Sequence, residues 1–377
     1  MLPSPAHGAA RLADVLADSL RAVRGESGAL GLPGVDRAAV ILLDGLGADS
    51  LRARAGHART LAGAMAGRTE VIATGLPTTT AAALASLTTG ALPGEHGLVG
   101  YSVLDPLAGR VVNQLRGWDD GELPPDWLRV PTLFAAATAA GLDAIAIGSD
   151  RYRDSGFTRA VLGGARYVAA RTIEDRFEAL AAALADRSWR GIAYVYAAEL
   201  DMAGHDAGWA SEAWSGALER IDAALGRLVA SLPPRAGVLV TADHGMVDIP
   251  EYARIAIPDD SPLWEGVRAL GGEHRLLHLY AEPAADAVGL ATRWRDAVGH
   301  EAWVGTREEA IAAGWFGPVS PAVLPRIGDV LVAARKGVAY YTEEAISGSA
   351  GRMVGQHGSW TPAETRVPLL RFGAFAR

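Results

Sequence analysis

The stretch Ala38-Ala39-Val40-Ile41-Leu42-Leu43-Asp44-Gly45 joins six consecutive apolar residues to an Asp-Gly turn. Such a run, without alternation, is typical of a strand buried on both faces of a parallel sheet. Similar runs recur along the chain, and stretches with helical patterns separate them. Because strands alternate with helices, the sequence predicts an α/β fold with a central, mostly parallel sheet and helices on both faces. The further predicted strands are 69–73, 143–148, 191–196 and 237–241, and the predicted helices are 48–66, 80–89, 132–140, 173–185 and 209–231.

The pattern of the sequence changes between about residues 250 and 341. Short apolar runs at 278–280, 302–304 and 330–332 surround one helical stretch there. This pattern predicts a small α+β insert, so we expect an α/β core formed by 1–249 plus 342–377 and a cap-like insert formed by 250–341. Residues 100–125, which contain Gly, Pro and Asp-Asp-Gly, predict an irregular excursion from the core.

The composition of the 377-residue chain restricts the classes of function. Half of the residues are hydrophobic and the net charge is −8, with no basic block that would indicate a nucleic-acid polymer as partner. The chain has no cysteine, so any metal ligands must be His, Asp, Glu or hydroxyl groups. The N-terminal stretch predicts an amphipathic helix rather than a signal peptide, and no apolar run predicts a transmembrane helix. We therefore expect a cytoplasmic protein by default.

Three aspartates follow predicted strands. Asp44 and Asp243 come directly after or just past the end of a buried strand, and Asp201 lies a few residues past a third. The carboxyl ends of parallel strands form the ligand crevice of open α/β sheets. Three carboxylates that converge there repel one another unless a cation or protons neutralise them. The alternative is that each aspartate only caps the helix or loop that follows it.

Three histidines accompany these aspartates. His205 follows Asp201 by four residues, which places both on one face of a helical turn. His244 follows Asp243 at a sharp bend, and His357 lies in a Gly-rich loop. With a threonine hydroxyl, these groups are too many for one tetrahedral zinc ion. They suit two cations about 4 Å apart.

Imidazole and carboxylate ligands without thiolate favour Zn²⁺, with Mn²⁺, Fe²⁺ or Co²⁺ as alternatives. Two histidines of the insert, His274 and His278, remain open as ligands or structural residues. His96, in Pro93-Gly94-Glu95-His96-Gly97, is expected to brace its own turn.

The threonine stretch Pro77-Thr78-Thr79-Thr80 opens an Ala-rich run. It predicts a loop that turns into a helix, with a threonine side chain capping the first backbone N–H groups. A hydroxyl at a helix N-terminus lies where the backbone dipoles favour negative charge. The stretch is therefore either a simple helix cap or the place where an alkoxide or phosphoryl group is stabilised.

Five motifs in this order resemble the alkaline phosphatase superfamily, and most closely its nucleotide pyrophosphatase/phosphodiesterase branch. The resemblance spans the chain from Asp44 to His357 and implies an alkaline-phosphatase-like sandwich. The motifs are Leu42-Leu43-Asp44-Gly45; Pro77-Thr78-Thr79-Thr80 with Thr89-Gly90 and Glu95-His96-Gly97; Asp201-x-x-Gly204-His205-x-x-Gly208; Asp243-His244-Gly245-Met246; and Gly355-Gln356-His357-Gly358.

The resemblance implies roles for individual residues. Thr80 matches the nucleophile of the family. One metal ion would be held by Asp44, Thr80, Asp243 and His244, and the other by Asp201, His205 and His357. The family usually places a substrate-binding Asn where this chain has Tyr101, so Tyr101 is expected either to donate to the phosphoryl group or to line a leaving-group pocket.

The implied function is metal-dependent hydrolysis of a small phosphoester, as a phosphodiesterase or nucleotide pyrophosphatase with a phospho-threonine intermediate. A diester or anhydride is favoured over a monoester, because Thr80 has no neighbouring Ser-Arg pair of the kind that binds a dianionic phosphoryl group in alkaline phosphatases. A nucleotide is one candidate substrate. We expect the insert and the 100–125 excursion to shape the leaving-group pocket. The alternatives are a phosphomonoesterase or phosphonate hydrolase on the same scaffold, a phosphotransferase or mutase, and a non-catalytic metal-binding protein.

Overall fold

The computed structural model describes residues 1–6, 8–65 and 70–376. Its helices are α1 (Leu12–Arg24), α2 (Ala48–Ala53), α3 (Arg59–Ala64), α4 (Thr80–Thr89), α5 (Pro93–His96), α6 (Leu133–Ala139), α7 (Gly156–Val161), α8 (Ile173–Ala185), α9 (Glu199–Ala207), α10 (Glu212–Ala230), α11 (Ala287–Val298), α12 (Arg307–Ala312), α13 (Glu343–Ser347) and α14 (Pro362–Thr365). Short 3-10 helices cover Ala55–His57, Asp150–Tyr152, Glu251–Ala253, Pro262–Trp264, Leu324–Arg326 and Ala350–Arg352. The strands are β1 (Arg37–Leu43), β2 (Val71–Ala73), β3 (Ser102–Asp105), β4 (Arg110–Asn113), β5 (Asp143–Gly148), β6 (Arg166–Ala169), β7 (Gly191–Ala197), β8 (Ala236–Thr241), β9 (Val247–Asp248), β10 (Arg254–Ile257), β11 (Val267–Glu273), β12 (Leu276–Ala281), β13 (Ala302–Thr306), β14 (Val330–Ala334), β15 (Ala339–Thr342), β16 (Gly355–Gln356) and β17 (Arg366–Gly373).

Strand β1 lies in the middle of the core sheet, and every one of its residues is buried. Within the described residues this sheet has seven strands in the order β2-β17-β8-β1-β7-β5-β6. The strands from β8 to β6 run parallel, and β17 runs antiparallel to both of its neighbours. Helices α1, α4 and α6 contact one another in one layer, while α3, α8 and α10 form the opposite layer. The predicted mostly parallel sheet with helices on both faces is confirmed.

The register of the three central strands fixes where the functional crevice lies. Leu43 at the end of β1 pairs with Ala197 at the end of β7, and Leu42 pairs with Thr241 at the end of β8. The three strands therefore end side by side. The residues that follow them meet at one edge of the sheet, as expected for an open α/β fold.

Several local predictions differ from the observed elements. The excursion at 100–125 contains the hairpin of β3 and β4, because Val103 and Val112 are buried on one face. The predicted helix at 48–66 is divided into α2 and α3 by a 3-10 turn, and residue 66 lies outside the described residues. Strand β2 begins at Val71, and the predicted start at Thr69 also lies outside them. Helix α10 begins only after Ser211, whose side chain accepts from the Trp214 N–H.

The region 250–341 has its own layers. In the described part of the chain it contains a four-stranded antiparallel sheet in the order β11-β12-β14-β13, with α11 packed on one face through Leu290 and Trp294. Leu276 and Leu331 face the other side and pack against the excursion. The division of the chain at residues 250 and 341 stays a prediction. None of the helices in the described ranges is long and apolar enough to cross a lipid bilayer.

A buried ion pair joins the turn between β11 and β12 to α14. Arg275, at the turn between β11 and β12, contacts both carboxylate oxygens of Glu364 in α14, with N···O distances of 2.7 and 2.8 Å. Both side chains are fully buried. Glu364 also accepts from the Ser359 N–H at 2.9 Å and from the Thr361 hydroxyl. The pair therefore has the additional hydrogen bonds that a desolvated ion pair requires.

We expect Glu364→Gln to lower the free energy of unfolding by about 3–5 kcal/mol, because it leaves the buried Arg275 guanidinium without its counter-charge. The matched control is Glu174→Gln, since Glu174 pairs with Arg220 at 2.9 Å on the surface, where both side chains are partly exposed. The control should cost less than about 1 kcal/mol. Chemical denaturation of the three proteins checks this, and equal losses in the two variants would contradict it.

Candidate metal centre

The three predicted aspartates converge at the carboxyl edge of the core sheet. Asp44 follows β1, Asp243 follows β8 by two residues, and Asp201 lies in the first turn of α9 after β7. Asp44 and Asp243 are almost fully buried. Among the described residues, Oδ1 of Asp44, Oδ1 of Asp201 and Oδ2 of Asp243 have no hydrogen-bond partner. Buried polar atoms without a partner are rare, so these oxygens are candidate ligands for a cation.

The electrostatics of the cluster point the same way. Burial raises the pKa of the Asp44 carboxyl well above its ordinary value, and the negative charges of Asp243 and Asp201 raise it further. Burial also raises the pKa of Asp201. Three ionised carboxylates are unfavourable here by themselves, because burial and mutual repulsion both disfavour the charged form. A bound cation removes both penalties.

The first predicted ligand set is brought together around His244. Its Nε2 atom lies 3.6 Å from Oδ1 of Asp44 and 3.5 Å from Oδ2 of Asp243. The hydroxyl of Thr80 lies 3.3 Å from the same Nε2 atom. The carboxylate oxygens in these contacts are the unpartnered ones, so the free ligand atoms of all four residues face a common point.

The second predicted set is brought together beside the first. His205 Nε2 lies 3.3 Å from Oδ1 of Asp201, and His357 Nε2 lies 3.8 Å from the same oxygen. The two imidazole Nε2 atoms are 3.3 Å apart. Asp201 and His205 lie in α9, as the four-residue spacing predicts. The rings of His244 and His357 stack at 3.6 Å between their centroids, so the two sets are adjacent.

Backbone carbonyl groups orient the three imidazoles. Nδ1 of His205 lies 2.8 Å from Gly355 O, and Nδ1 of His357 lies 2.7 Å from Thr78 O. Nδ1 of His244 lies 3.1 Å from the carbonyl oxygen of the next residue. A carbonyl oxygen can only accept, so each Nδ1 carries the proton and each Nε2 presents a lone pair. This is the outer-shell arrangement that metal-binding histidines adopt.

Helix α4 begins at Thr80, as predicted, and Thr79 occupies the N-cap position. The predicted side-chain cap is wrong, because the Thr79 side chain makes no hydrogen bond to the helix. Thr78 shapes the loop: its hydroxyl donates to Ser359 O at 2.8 Å and accepts from the Gly358 N–H at 2.9 Å. The threonine loop is therefore joined to the His357 loop.

A cavity of about 480 Å³ opens beside Thr80, Asp44 and Asp201. Its walls come from α4, from the excursion and from the segment between β5 and β6. Within the described residues, none of the lining side chains belongs to 250–341, so the excursion contributes to the pocket and the insert does not. The walls include Leu84, Leu115, Arg116, Arg151, Tyr152, Phe157, Val161, Tyr167 and Tyr194.

Tyr101 does not line this cavity. It is half-buried, and its carbonyl oxygen accepts from the Gln114 N–H at 2.8 Å. Its proposed contact with substrate stays a prediction. His96 does brace its own turn, because its Nδ1 accepts from the Leu98 N–H at 3.2 Å and its Nε2 lies 2.9 Å from the Ser86 hydroxyl.

The two insert histidines lie outside the metal centre. His278 is fully buried and accepts from the Gly328 N–H, and burial lowers its pKa to about 3. His274 stacks on Tyr341 with 4.1 Å between the ring centroids. Both therefore act as packing residues of the insert.

Two residues near the cluster escaped the sequence reasoning. Tyr196 donates a short hydrogen bond to Oδ2 of Asp44. Tyr196 is the next-to-last residue of β7, the strand that precedes α9. Its position close to the carboxyl end of a predicted strand could have identified it from the sequence as a neighbour of the aspartates. Glu273 lies with Oε2 3.6 Å from His357 Nδ1. Nothing in the local sequence distinguishes Glu273 from other acidic residues of the insert.

The sheet, its two helical layers and the crevice define an alkaline-phosphatase-like α/β protein. The sequence model of the family described as type I phosphodiesterase/nucleotide pyrophosphatase matches residues 38–360. The chain therefore belongs to the type I phosphodiesterase/nucleotide pyrophosphatase family, which confirms the resemblance seen in the sequence. No curated protein matches the chain at the level of sequence.

Solved structures with the same fold share little sequence with the chain. Phosphonoacetate hydrolase from Sinorhizobium meliloti 1021, in complex with phosphonoacetate, has a TM-score of 0.70 at 20% identity, covering 90% of this chain and 91% of that chain. An inactive threonine-to-alanine variant of murine ectonucleotide pyrophosphatase/phosphodiesterase 5, in complex with AMP, has a TM-score of 0.67 at 18% identity, covering 89% and 88%. The human counterpart of that enzyme has a TM-score of 0.66 at 17% identity, covering 89% and 87%.

Chelation should destabilise the protein more strongly as the pH rises. Without cations, the pKa values of Asp44 and Asp201 in the folded protein lie above the ordinary value of 3.8. Between the two values, the folded protein binds more protons than the unfolded chain, so the free energy of unfolding falls as the pH increases. We expect EDTA to lower the melting temperature at pH 8 by at least about 3 °C, and Zn²⁺ to restore it. The effect should be smaller at pH 5.

The variant Asp243→Asn separates charge repulsion from general damage. The substituted amide retains an oxygen for the Gly45 and His244 N–H groups, from which Oδ1 of Asp243 accepts at 3.1 and 3.0 Å. The NH₂ group of the substituted side chain takes the place of the unpartnered Oδ2 and removes the negative charge. Without cations this variant should melt above the wild type at pH 8, and with Zn²⁺ below it. An unchanged melting temperature of the wild type on chelation at pH 8 would contradict this account.

Proposed function

We propose that the protein is a metal-dependent phosphodiesterase or nucleotide pyrophosphatase that uses Thr80 as its nucleophile. The observation that carries this proposal is the convergence of unpartnered carboxylate oxygens and three oriented imidazole Nε2 atoms beside the Thr80 hydroxyl. Family membership supports the general activity, a phosphoester hydrolase. The preference for diesters or anhydrides, the nucleophile and the number of metal ions are part of the proposal.

The donor set fits two divalent cations. One would be held by Asp44, Thr80, Asp243 and His244, and the other by Asp201, His205 and His357. Carboxylate and imidazole donors without thiolate suit Zn²⁺ best, with Mn²⁺, Fe²⁺ or Co²⁺ as alternatives. When bound, the cations would lower the pKa of the nucleophile, polarise the phosphoryl group and stabilise the leaving oxygen.

The residues of the chain supply the nucleophile and its placement. The Thr80 oxygen attacks phosphorus in line; the new P–O bond forms as the ester P–O bond breaks, and the departing alcohol takes up a proton. Water then cleaves the phospho-threonine and releases the phosphoryl product. Thr80 is the first residue of α4, so backbone N–H groups of the first turn point towards the phosphoryl oxygens. The murine relative is described as inactive when a threonine is replaced by alanine, which supports an essential threonine here.

The cavity provides room for the organic group of an ester. It begins at Thr80 and is lined by aliphatic and tyrosine side chains, which suits a substituent with an apolar ring. One organic substituent of a diester or anhydride would occupy this cavity. The preference over a monoester rests on the residues beside Thr80, Thr79 and Ala81, which offer no Ser-Arg pair for a dianionic phosphoryl group.

Hydrolysis of a carboxylated phosphonate is the second candidate function. Arg116 and Arg151 line the cavity, are exposed, and form no ion pair in the part of the chain that the structure describes. Two such guanidinium groups would receive a carboxylate or a second phosphate on the substrate. The structurally similar phosphonoacetate hydrolase holds a substrate of this kind.

Thr80→Ala should lower kcat for bis-p-nitrophenyl phosphate by at least about a thousandfold, because it removes the nucleophile. Thr88→Ala is the matched control. It lies in the same helix, is buried, and donates only to Leu84 O. It should retain activity. Parallel assays with p-nitrophenyl phosphate and phosphonoacetate, and metal analysis of each protein, complete the measurement. The proposal fails if fewer than about two metal ions bind per chain or if Thr80→Ala keeps full activity.

Leu115→Trp should reduce activity by filling the cavity. Leu115 is half-buried and lines it, so we expect KM for bis-p-nitrophenyl phosphate to rise about five- to tenfold. An ester with one methyl substituent should be affected much less. Leu107→Trp is the control, because Leu107 lies in the same excursion and is almost fully exposed. Equal effects of the two substitutions, or an equal effect on both esters, would show that the cavity does not hold the substrate.

A further inference from the structure

The turn between β11 and β12 reaches from the insert to the loop that carries His357. Gly272 at its start has a φ of +86°, and a Cβ atom there would lie 2.0 Å from Leu276 O, so only glycine fits. The turn presents two side chains to the loop. Arg275 contacts Glu364, which holds the Ser359 N–H, and Glu273 contacts the loop next to His357 itself.

The Glu273 side chain is closely packed against this loop. Its Oε2 atom lies 3.6 Å from His357 Nδ1, and 11% of the side chain is exposed. A Cβ atom on Gly358 would lie 2.6 Å from the Glu273 carboxyl carbon, so the carboxyl group occupies the space over that glycine. The Glu273 carboxyl group thus lies against two consecutive residues of the His357 loop, His357 and Gly358.

A purely structural role explains these contacts poorly. Among the described residues, Oε1 of Glu273 is buried and has no hydrogen-bond partner. The neighbouring Arg275 is already occupied by Glu364 and by backbone carbonyl oxygens. An apolar side chain would fill the same space at a lower cost.

We propose that Glu273 is a positioning residue for His357, which it holds with Nε2 directed at Asp201, and that the insert thereby sets the affinity of the second cation. The inference rests on the proposed function, since it requires a cation between Asp201, His205 and His357. The His357 Nδ1–H is bonded to Thr78 O at 2.7 Å, and Oε2 of Glu273 lies 3.6 Å from the same nitrogen. Outer-shell contacts of this kind change metal affinity by about 10- to 100-fold.

The test is a titration of the metal-free full-length protein with Zn²⁺ in competition with a chromophoric chelator. We expect two ions per wild-type chain. Glu273→Ala should weaken one of the two sites by about 10- to 100-fold and leave the other unchanged. Glu273→Gln retains the shape of the side chain and its contact with His357, so both affinities should remain within about fivefold of the wild type. Glu344→Gln on the exposed face of α13 is the surface control.

If the Glu273→Ala variant does not fold, Glu273→Asp tests the positioning role in the same titration. It keeps the charge but withdraws the carboxyl group by one methylene, so a positioning role predicts weakening of the same single site. Wild-type affinities in the alanine or aspartate variant would overturn the inference, as would equal weakening of both sites. A wild-type chain that binds no cation would instead overturn the proposed function, and the inference with it.

Discussion

Three carboxylates that repel one another occupy the end of the most buried part of the sheet. The in-register pairing of β1 with β7 and β8 makes this unavoidable, because the strands end together and their aspartates follow. The remaining features of the site accommodate this constraint. Each imidazole is turned by a backbone carbonyl so that Nε2 faces the carboxylates, and the N-terminus of α4 directs the Thr80 hydroxyl to the same point. The fold thus concentrates negative charge where a bound cation or protonation relieves it.

Much of this arrangement could be predicted from the sequence, because it follows from topology. A strand buried on both faces has a recognisable apolar run, and the residue after it must lie at the carboxyl edge of a parallel sheet. Asp44, Asp201 and Asp243 were found in this way, and the four-residue spacing placed His205 beside Asp201. Thr80 could be chosen among three threonines only through the family resemblance. Whether Tyr101 contacts substrate stays a prediction.

The remainder depends on contacts between distant segments that leave no local pattern. Glu273 meets His357 across 84 positions of sequence, and Leu115 lines the cavity from a stretch whose sequence predicts irregular structure. The predicted threonine cap of α4 is absent as well: local propensity favours it, but the Thr79 side chain makes no hydrogen bond to the helix. The β3–β4 hairpin was missed because its apolar positions are explained only by the insert strand against which it packs.

The two-sided contact of the β11–β12 turn with the His357 loop affects how freely the insert can be exchanged between related proteins. Arg275 is saturated by Glu364 and by carbonyl oxygens, and Gly358 has no space for a side chain beneath Glu273. A grafted segment with a different turn would leave the buried Glu364 without its counter-charge and His357 without its contact to Glu273. The turn at 272–275 and the loop at 355–364 would therefore have to be exchanged together, although about 80 positions separate them and the predicted boundaries place them on opposite sides of the division. Recombination at the predicted boundaries of the insert would separate the two segments.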